Sequence, residues 1–147
     1  MEQNLKTARE ALPKIRVALE TAGVCRLTVT GTSMTPFLRD SRDAVLLVPF
    51  DRPAKRGDIL FYRRGSSTCI LHRIHRVCPD GRLELCGDAQ VGLEPVEQSQ
   101  IVALVSHVIR DGRQISCDAP GLRLAVGLWQ ILRPVRPWLL ALMRIGS

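Results

Sequence analysis

Six short runs of β-branched and aliphatic residues constrain the fold of this chain more than any other feature. The runs are CRLTVTG, DAVLLVPF, DILFYRR, CILHRIHRV, RLELCG and IVALVSHVIR, and they all lie between Cys25 and Arg110. Turn-forming segments such as Pro79-Asp80-Gly81 and Asp111-Gly112 separate them. Short strands at this regular spacing predict a mainly β domain with antiparallel sheets, and not alternating βαβ units.

Helical segments flank the strand-rich region on both sides. Apolar residues at helical spacing over residues 5–22 predict a short N-terminal helix that ends at Gly23. The apolar segment that begins at Ala119 is interrupted by arginines and by Pro134 and Pro137, which predicts two short amphipathic helices. The predicted organisation is an N-terminal helix in residues 1–24, a β domain in residues 25–118 and an apolar, basic helical tail in residues 119–147.

Charge and cysteine content narrow the classes of partner and of site. The net charge of +7 favours an acidic partner, either nucleic acid or anionic lipid. Because the chain has few aromatic residues and its arginines are scattered, we do not expect a nucleic-acid groove. The five cysteines have no CxxC spacing, so we expect neither a metal site nor a disulfide framework, and a reducing compartment.

The two ends of the sequence bear on the location of the protein. The segment MEQNLKTAREALPKIRVALE is charged throughout and lacks the apolar core of a signal sequence. The tail lacks the roughly 20 uninterrupted apolar residues of a spanning helix. Trp129, Trp138 and the tail arginines favour contact with an anionic membrane surface, and the alternative is a helical cap packed on the sheet. We expect a peripheral membrane protein or a cytoplasmic one.

The segment Gly31-Thr32-Ser33-Met34-Thr35-Pro36 follows the first predicted strand directly. A serine on such a tight turn can expose its hydroxyl and direct its own N–H at a developing oxyanion. Serine is also a common turn residue, so Ser33 alone is weak evidence for a nucleophile.

A second segment supplies the base that a serine nucleophile requires. His72 shares one face of its predicted strand with Ile70 and Ile74, and neutral histidine accepts protons well near pH 7. By the same alternation, His75 points to the opposite face. Asp88, at the end of the next strand, is a candidate for orienting the histidine, although Gly-Asp is also a common turn pair.

Together and in this order, these segments resemble the type I signal peptidases and the self-cleaving repressor proteases that share their fold. The resemblance covers roughly residues 25–110 and rests on four motifs: Ser33-Met34-Thr35-Pro36, Arg56-Gly57-Asp58-Ile59, His72-Arg73-Ile74 and Gly87-Asp88-Ala89. Most bacterial members have a Lys-Arg pair where this chain has His72-Arg73. A histidine at that position is typical of the endoplasmic-reticulum, archaeal and spore-former branch.

The resemblance implies strongly bent antiparallel β-sheets, acyl-enzyme chemistry and no cofactor. Ser33 would attack the scissile carbonyl, His72 would accept its proton and Asp88 would orient His72. Gly31, Met34 and Pro36, which surround the nucleophile, would contact the substrate. The sequence after Asp88 departs from the family pattern, so the supporting acid is either Asp88 or a later glutamate, namely Glu94 or Glu97.

The predicted function is that of an endopeptidase that removes a signal or leader segment from another polypeptide. The substrate would bind as an extended strand. One alternative is an inactive relative that binds extended peptides or a membrane partner. Another is self-cleavage at Ala22-Gly23, but ten residues at no more than about 3.6 Å each leave little chain to loop back to Ser33.

Overall fold

The computed structural model describes residues 2–3, 8–65 and 68–145. Within them, nine strands and three α-helices follow one another along the chain, with 3₁₀ turns at Gln98–Gln100 and Arg133–Val135. The strands are β1 (Glu2–Gln3), β2 (Cys25–Thr28), β3 (Ala44–Val48), β4 (Ile59–Arg64), β5 (Thr68–Val77), β6 (Leu83–Cys86), β7 (Glu94–Val96), β8 (Ile101–Arg110) and β9 (Arg113–Ser116). The helices are α1 (Ala8–Ala22), α2 (Pro120–Ile131) and α3 (Arg136–Ile145).

The strands form one sheet in the order β1-β2-β3-β8-β4-β5-β6-β7, with β9 added to β8. Every pair is antiparallel except β1 with β2. The long strand β8 has β3 on one edge, and β4 and then β9 on the other. The predicted mainly β, antiparallel class is confirmed, and each of the six predicted strands is present.

Two apolar cores lie on opposite faces of the sheet, and β4 contributes to both. Ile59 and Phe61 belong to the core that α1 covers, whereas Leu60 and Tyr62 belong to the core between β4, β5, β6 and β7. All four side chains are buried. A strand covered on both faces explains why DILFYRR reads as a continuous apolar run and lacks strict alternation.

Helices lie on both sides of the strand-rich region. Helix α1 ends where Gly23 adopts a φ of +74° and donates its N–H to the carbonyl of Leu19. The predicted residues 5–7 of this helix lie outside the described residues. The tail forms two helices on either side of Arg133–Val135, as its prolines predicted. In the part of the chain that the structure describes, no helix has both the length and the apolar character needed to cross a membrane.

The sequence pattern did not predict three of the short strands. Strand β1 has only two residues, β7 contains Pro95, and β9 has the polar sequence RQIS with an exposed surface. Strands of this kind bury little apolar area, so they carry neither alternation nor an apolar run. Their partners on the neighbouring strands determine them.

Candidate active site

Ser33 lies in the irregular segment between β2 and β3, residues 29–43, which we call the Ser33 turn. Hydrogen bonds hold this turn at several points. Gly31 has a φ of +87° and donates its N–H to Asp40 Oδ1 at 2.8 Å. Leu38 N–H donates to the carbonyl of Met34 at 2.9 Å. Ser33 is partly exposed, and its N–H donates to no acceptor among the described residues. This N–H therefore takes no part in holding the turn.

The 87–90 turn after β6 holds the Ser33 turn from one side. Ala89 N–H donates to the carbonyl oxygen of Ser33 at 2.8 Å. A Cβ atom at Gly87 would lie 2.6 Å from the same oxygen and 2.8 Å from Gln90 Oε1, closer than atoms pack. Glycine is thus required at position 87, and the nucleophile and Gly-Asp motifs meet through their backbones.

A buried carboxylate holds the other side of the Ser33 turn. Asp43 accepts hydrogen bonds from Arg39 and Arg110, and Arg110 also donates to the carbonyl of Phe37 at 2.7 Å. Burial opposes ionisation of Asp43, but the hydrogen bonds from Arg110 and Arg39 outweigh it and lower its pKa to about 2. The turn is therefore fixed at both ends.

A small pocket of about 130 Å³ opens beside Ser33. Its walls come from the end of β2, from the Ser33 turn and from β5: Thr28, Val29, Thr30, Gly31, Ser33, Met34, Cys69, Ile70 and Leu71. The predicted contact residues Gly31 and Met34 thus lie at the pocket, Met34 with its side chain in the core. Pro36 instead lines a separate cavity of about 270 Å³, together with Phe37 and Cys117.

His72 is buried on β5 and begins a chain of hydrogen bonds. Its Nδ1 lies 3.2 Å from the Tyr62 hydroxyl, which donates to Glu94 Oε2 at 2.8 Å. Since the tyrosine proton is directed to Glu94, the tyrosine oxygen accepts from His72 Nδ1–H. This arrangement assigns the tautomer in which Nε2 keeps its lone pair. Such a nitrogen can accept a proton.

The charges around this chain favour a neutral imidazole beside an ionised carboxylate. Burial lowers the pKa of His72 below its usual 6.5, and the nearby Glu94 charge opposes this only in part. Burial pushes the pKa of Glu94 upward, but hydrogen bonds from Arg64 and Tyr62 outweigh it and lower that pKa. At neutral pH, His72 is therefore unprotonated. It contacts the hydroxyl of Tyr62, which donates to the Glu94 carboxylate.

Asp88 occupies a different position from the one expected of it. Its carboxylate accepts hydrogen bonds from Arg73 Nε at 3.0 Å and Arg73 Nη2 at 2.9 Å. Arg73 also donates to the carbonyl of Gly57 at 2.9 Å. Within the described residues no hydrogen bond joins Asp88 to His72. The expected orientation of His72 by Asp88 is therefore corrected: Asp88 forms a buried ion pair with Arg73, and this pair holds the 87–90 turn to β5 and to Gly57.

The other two candidates from the sequence, His75 and Glu97, make no hydrogen bond to His72 within the described residues. His75 lies at an irregularity in the pairing of β5 with β6 and lines a different pocket with Lys55 and Arg56. Glu97 is exposed beside the 3₁₀ turn, where its N–H donates to Gln100 Oε1. Of the two later glutamates, Glu94 is the one connected to His72.

Ser33 and His72 are not hydrogen-bonded to each other, as far as the chain is described. Ser33 lines its pocket with Ile70 and Leu71, the two residues that precede His72 on β5. The Ser33 pocket therefore borders the part of β5 that immediately precedes His72. The hydrogen bond between His72 and Tyr62 was not predicted from the sequence.

The tail takes part in the site, which the sequence did not indicate. Trp129 Nε1–H donates to the carbonyl of Asp88 at 2.7 Å. The Arg136 side chain is buried and donates to the carbonyls of Gly87 and Gln90 at 3.2 and 2.9 Å. The sequence predicts that the tail arginines meet lipid, but Arg136 faces inward and holds the 87–90 turn. A single arginine in an apolar helix carries no sequence signal that distinguishes these two roles.

Comparisons with protein-family models, with curated proteins and with solved structures found no match to this chain. In the residues that the structure covers, no cluster of three or more histidine, cysteine or acidic side chains has a geometry suited to a metal ion.

Proposed function

We propose that the chain is a serine endopeptidase of the signal-peptidase type, with Ser33 as the nucleophile and His72 as the general base. The observation that carries this proposal is the hydrogen-bond chain from the buried His72 through Tyr62 to Glu94. It orients the imidazole, keeps it neutral and leaves Nε2 as the proton acceptor. The bent sheets of the signal-peptidase fold are part of the proposal, supported by the meeting of the Ser33 and Gly-Asp motifs.

The chemistry follows the acyl-enzyme route. Ser33 Oγ attacks the scissile carbonyl carbon while its proton passes to His72 Nε2. The oxyanion that forms accepts a hydrogen bond from the Ser33 N–H. The imidazolium then protonates the leaving amine as the C–N bond breaks. Water, deprotonated by His72, hydrolyses the ester and restores Ser33. Substrate binding would bring Ser33 and His72 into contact, as catalytic hydrogen bonds tighten in the complexes of many proteases.

Glu94 takes the role of supporting acid in this proposal. Its carboxylate lies one tyrosine away from His72 and stabilises the positive charge that develops on the ring during proton transfer. Asp88 instead acts on the nucleophile indirectly, through the 87–90 turn, whose Ala89 N–H donates to the Ser33 carbonyl.

The substrate in this proposal is a polypeptide with a signal or leader segment, bound in extended form. The pocket beside Ser33 is small, at about 130 Å³, and its apolar walls include Val29, Met34 and Leu71. A small side chain next to the scissile bond fits such a pocket, whereas an aromatic one does not.

Labelling with a fluorophosphonate tests the proposal directly. Attack of Ser33 Oγ on phosphorus with loss of fluoride should add one phosphonyl group, which intact-protein mass spectrometry detects. The label should be absent in Ser33→Ala and in His72→Ala and present in the matched control Ser99→Ala, whose serine is exposed near β8. A label that persists in Ser33→Ala would refute the nucleophile.

One observation favours the alternative of an inactive peptide-binding relative, namely that Ser33 and His72 are not hydrogen-bonded to each other. If wild-type protein takes up no label and cleaves no leader peptide, yet binds extended peptides beside Ser33, this alternative is correct. Crosslinking from a peptide with a photoreactive side chain to the pocket residues would report such binding.

A further inference from the structure

The two tail helices expose most of their large apolar side chains. These residues, which we call the outer tail face, are Leu124, Leu128, Ile131, Leu132, Val135, Trp138, Leu142 and Met143. Ile131 is 70% exposed and Trp138 is 81% exposed. In the rest of the described chain, the exposed large apolar residues are fewer and dispersed over α1, β5, β9 and the loops. Leu124, Leu128 and Ile131 are at helical spacing along one side of α2, as are Trp138 and Leu142 on α3. Exposed apolar stripes of this kind mark an interaction surface.

Loose packing does not explain this exposure, because the opposite side of the same helices is fixed. Val126 and Leu140 are buried. Gln130 donates to the carbonyl of Ile74 at 2.8 Å, and Arg136 and Trp129 donate to the 87–90 turn. Polar anchors on the inner side thus set the rotation of both helices and turn the apolar side outward.

Positive charge lies directly beside the apolar face. A cleft of about 400 Å³ between α2 and the sheet contains Arg56 and Arg123, and Leu124, Leu128 and Ile131 form part of its wall. Arg123 pairs with Asp118, whereas Arg56 makes no ion pair with another described residue. Residues 119–147 contain no aspartate or glutamate, and of their four arginines Arg133 and Arg136 donate to carbonyls of residues 87–91.

We propose that the outer tail face lies in the surface of a membrane that contains anionic phospholipids, with the lipid headgroups against Arg56 and Arg123. Helix α2 has 12 residues, which at about 1.5 Å each is near 18 Å, well short of a hydrocarbon core of about 30 Å. Short amphipathic helices with exposed tryptophan and flanking arginine bind in the plane of the interface.

The charge distribution favours lipid over a second copy of the chain. A two-fold dimer through the outer tail face would bring the same arginine-lined cleft of both copies together. Like charges would then meet at the edge of the interface. An anionic bilayer offers the opposite charge and an apolar layer at the same depth. This inference does not depend on the protease chemistry.

Vesicle flotation of the full chain tests the inference. We expect binding to phosphatidylcholine vesicles that contain phosphatidylglycerol, weaker binding to pure phosphatidylcholine, and loss of the difference at high salt. The double variant Leu128→Glu/Ile131→Glu should bind at least about tenfold more weakly, since two exposed apolar anchors are lost. Its matched control is Val17→Glu/Val24→Glu, which adds the same charge at exposed positions of α1 and the residue that precedes β2.

A second pair of variants tests the cleft that contains Arg56 and Arg123. Arg56→Ala should weaken binding to the phosphatidylglycerol vesicles about fivefold, whereas Arg63→Ala, which removes an exposed arginine at the end of β4, should not. Unchanged thermal unfolding of all variants shows that the fold is retained. The inference is overturned if the wild type does not float, or if both double variants lose binding equally. It is also overturned if light scattering shows a wild-type dimer that Leu128→Glu/Ile131→Glu dissociates.

Discussion

His72 and Arg73 are adjacent on β5, yet they belong to two different environments because successive strand residues face opposite sides of the sheet. His72 enters the core between β4 and β7 and reaches Glu94 through one tyrosine. Arg73 points to the other side and forms a buried ion pair with Asp88. On one side lies the neutral imidazole of His72, which can accept a proton. On the other side, the opposite charges of Arg73 and Asp88 are held in an ion pair.

The difference separates two kinds of carboxylate that the sequence could not distinguish. Asp88 is buried against a guanidinium, so its charge is already used to hold the 87–90 turn beneath Ser33. Glu94 also pairs with an arginine, Arg64, but it is partly exposed and accepts from Tyr62, which links it to a charge that forms on His72. Loss of Asp88 should therefore act mainly on stability, and loss of Glu94 mainly on rate.

The largest expected effect is on the base itself. His72→Ala should reduce the cleavage rate of a leader peptide by about 10² to 10⁴-fold, the usual contribution of proton transfer to catalysis. His75→Ala, which removes a histidine from a different pocket of the same strand, should reduce the rate less than about tenfold. Steady-state rates with both variants at matched folded fractions decide this. A larger loss in His75→Ala would mean that the wrong histidine has been assigned.

The second effect is on the ion pair. Asp88→Asn leaves the Arg73 guanidinium buried without its partner, which should lower the free energy of unfolding by about 3–5 kcal/mol. The double variant Arg73→Met/Asp88→Leu removes both charges and should recover much of that loss. Urea unfolding measures the change. An Asp88→Asn protein with wild-type stability and a rate as low as that of His72→Ala would show that Asp88 serves the base.

The smallest expected effect is a shift of the pH dependence of the rate. Replacement of Glu94 and replacement of Arg64 should shift it in opposite directions. The acid limb of the wild-type profile should lie below pH 6.5, because burial lowers the pKa of His72 and protonated His72 cannot act as a base. Glu94 raises that pKa and Arg64 lowers it. Glu94→Gln should therefore move the acid limb to lower pH, and Arg64→Met should move it to higher pH.

Glu94→Gln should also lower the plateau rate by about ten- to a hundredfold, the value of one charge-assisted hydrogen bond. Glu97→Gln is the control, because Glu97 is exposed and caps a 3₁₀ turn near the same strand. Equal profiles for Glu94→Gln and the wild type would remove Glu94 from the proton-transfer chain.

The course of the main chain was largely predictable from the sequence. The six strands and the break in the tail follow from local patterns, since alternation, turn residues and proline act over a few neighbouring residues. The same local rule placed His72 with Ile70 and Ile74 and apart from Arg73. The strands β1, β7 and β9 were not predictable, because they depend on partners elsewhere in the sheet.

The sequence by itself determined which residues are available for chemistry: a serine on a turn, a histidine on a strand and several carboxylates after it. Only the tertiary structure decided how they are connected. The link from His72 to Glu94 runs through Tyr62, 10 positions before the histidine, and the 87–90 turn is held by Arg136, 46 positions after Gln90. Such contacts join side chains that burial has removed from water, and each buried polar group takes the partner that the packing brings within reach. No pattern over neighbouring residues records that choice.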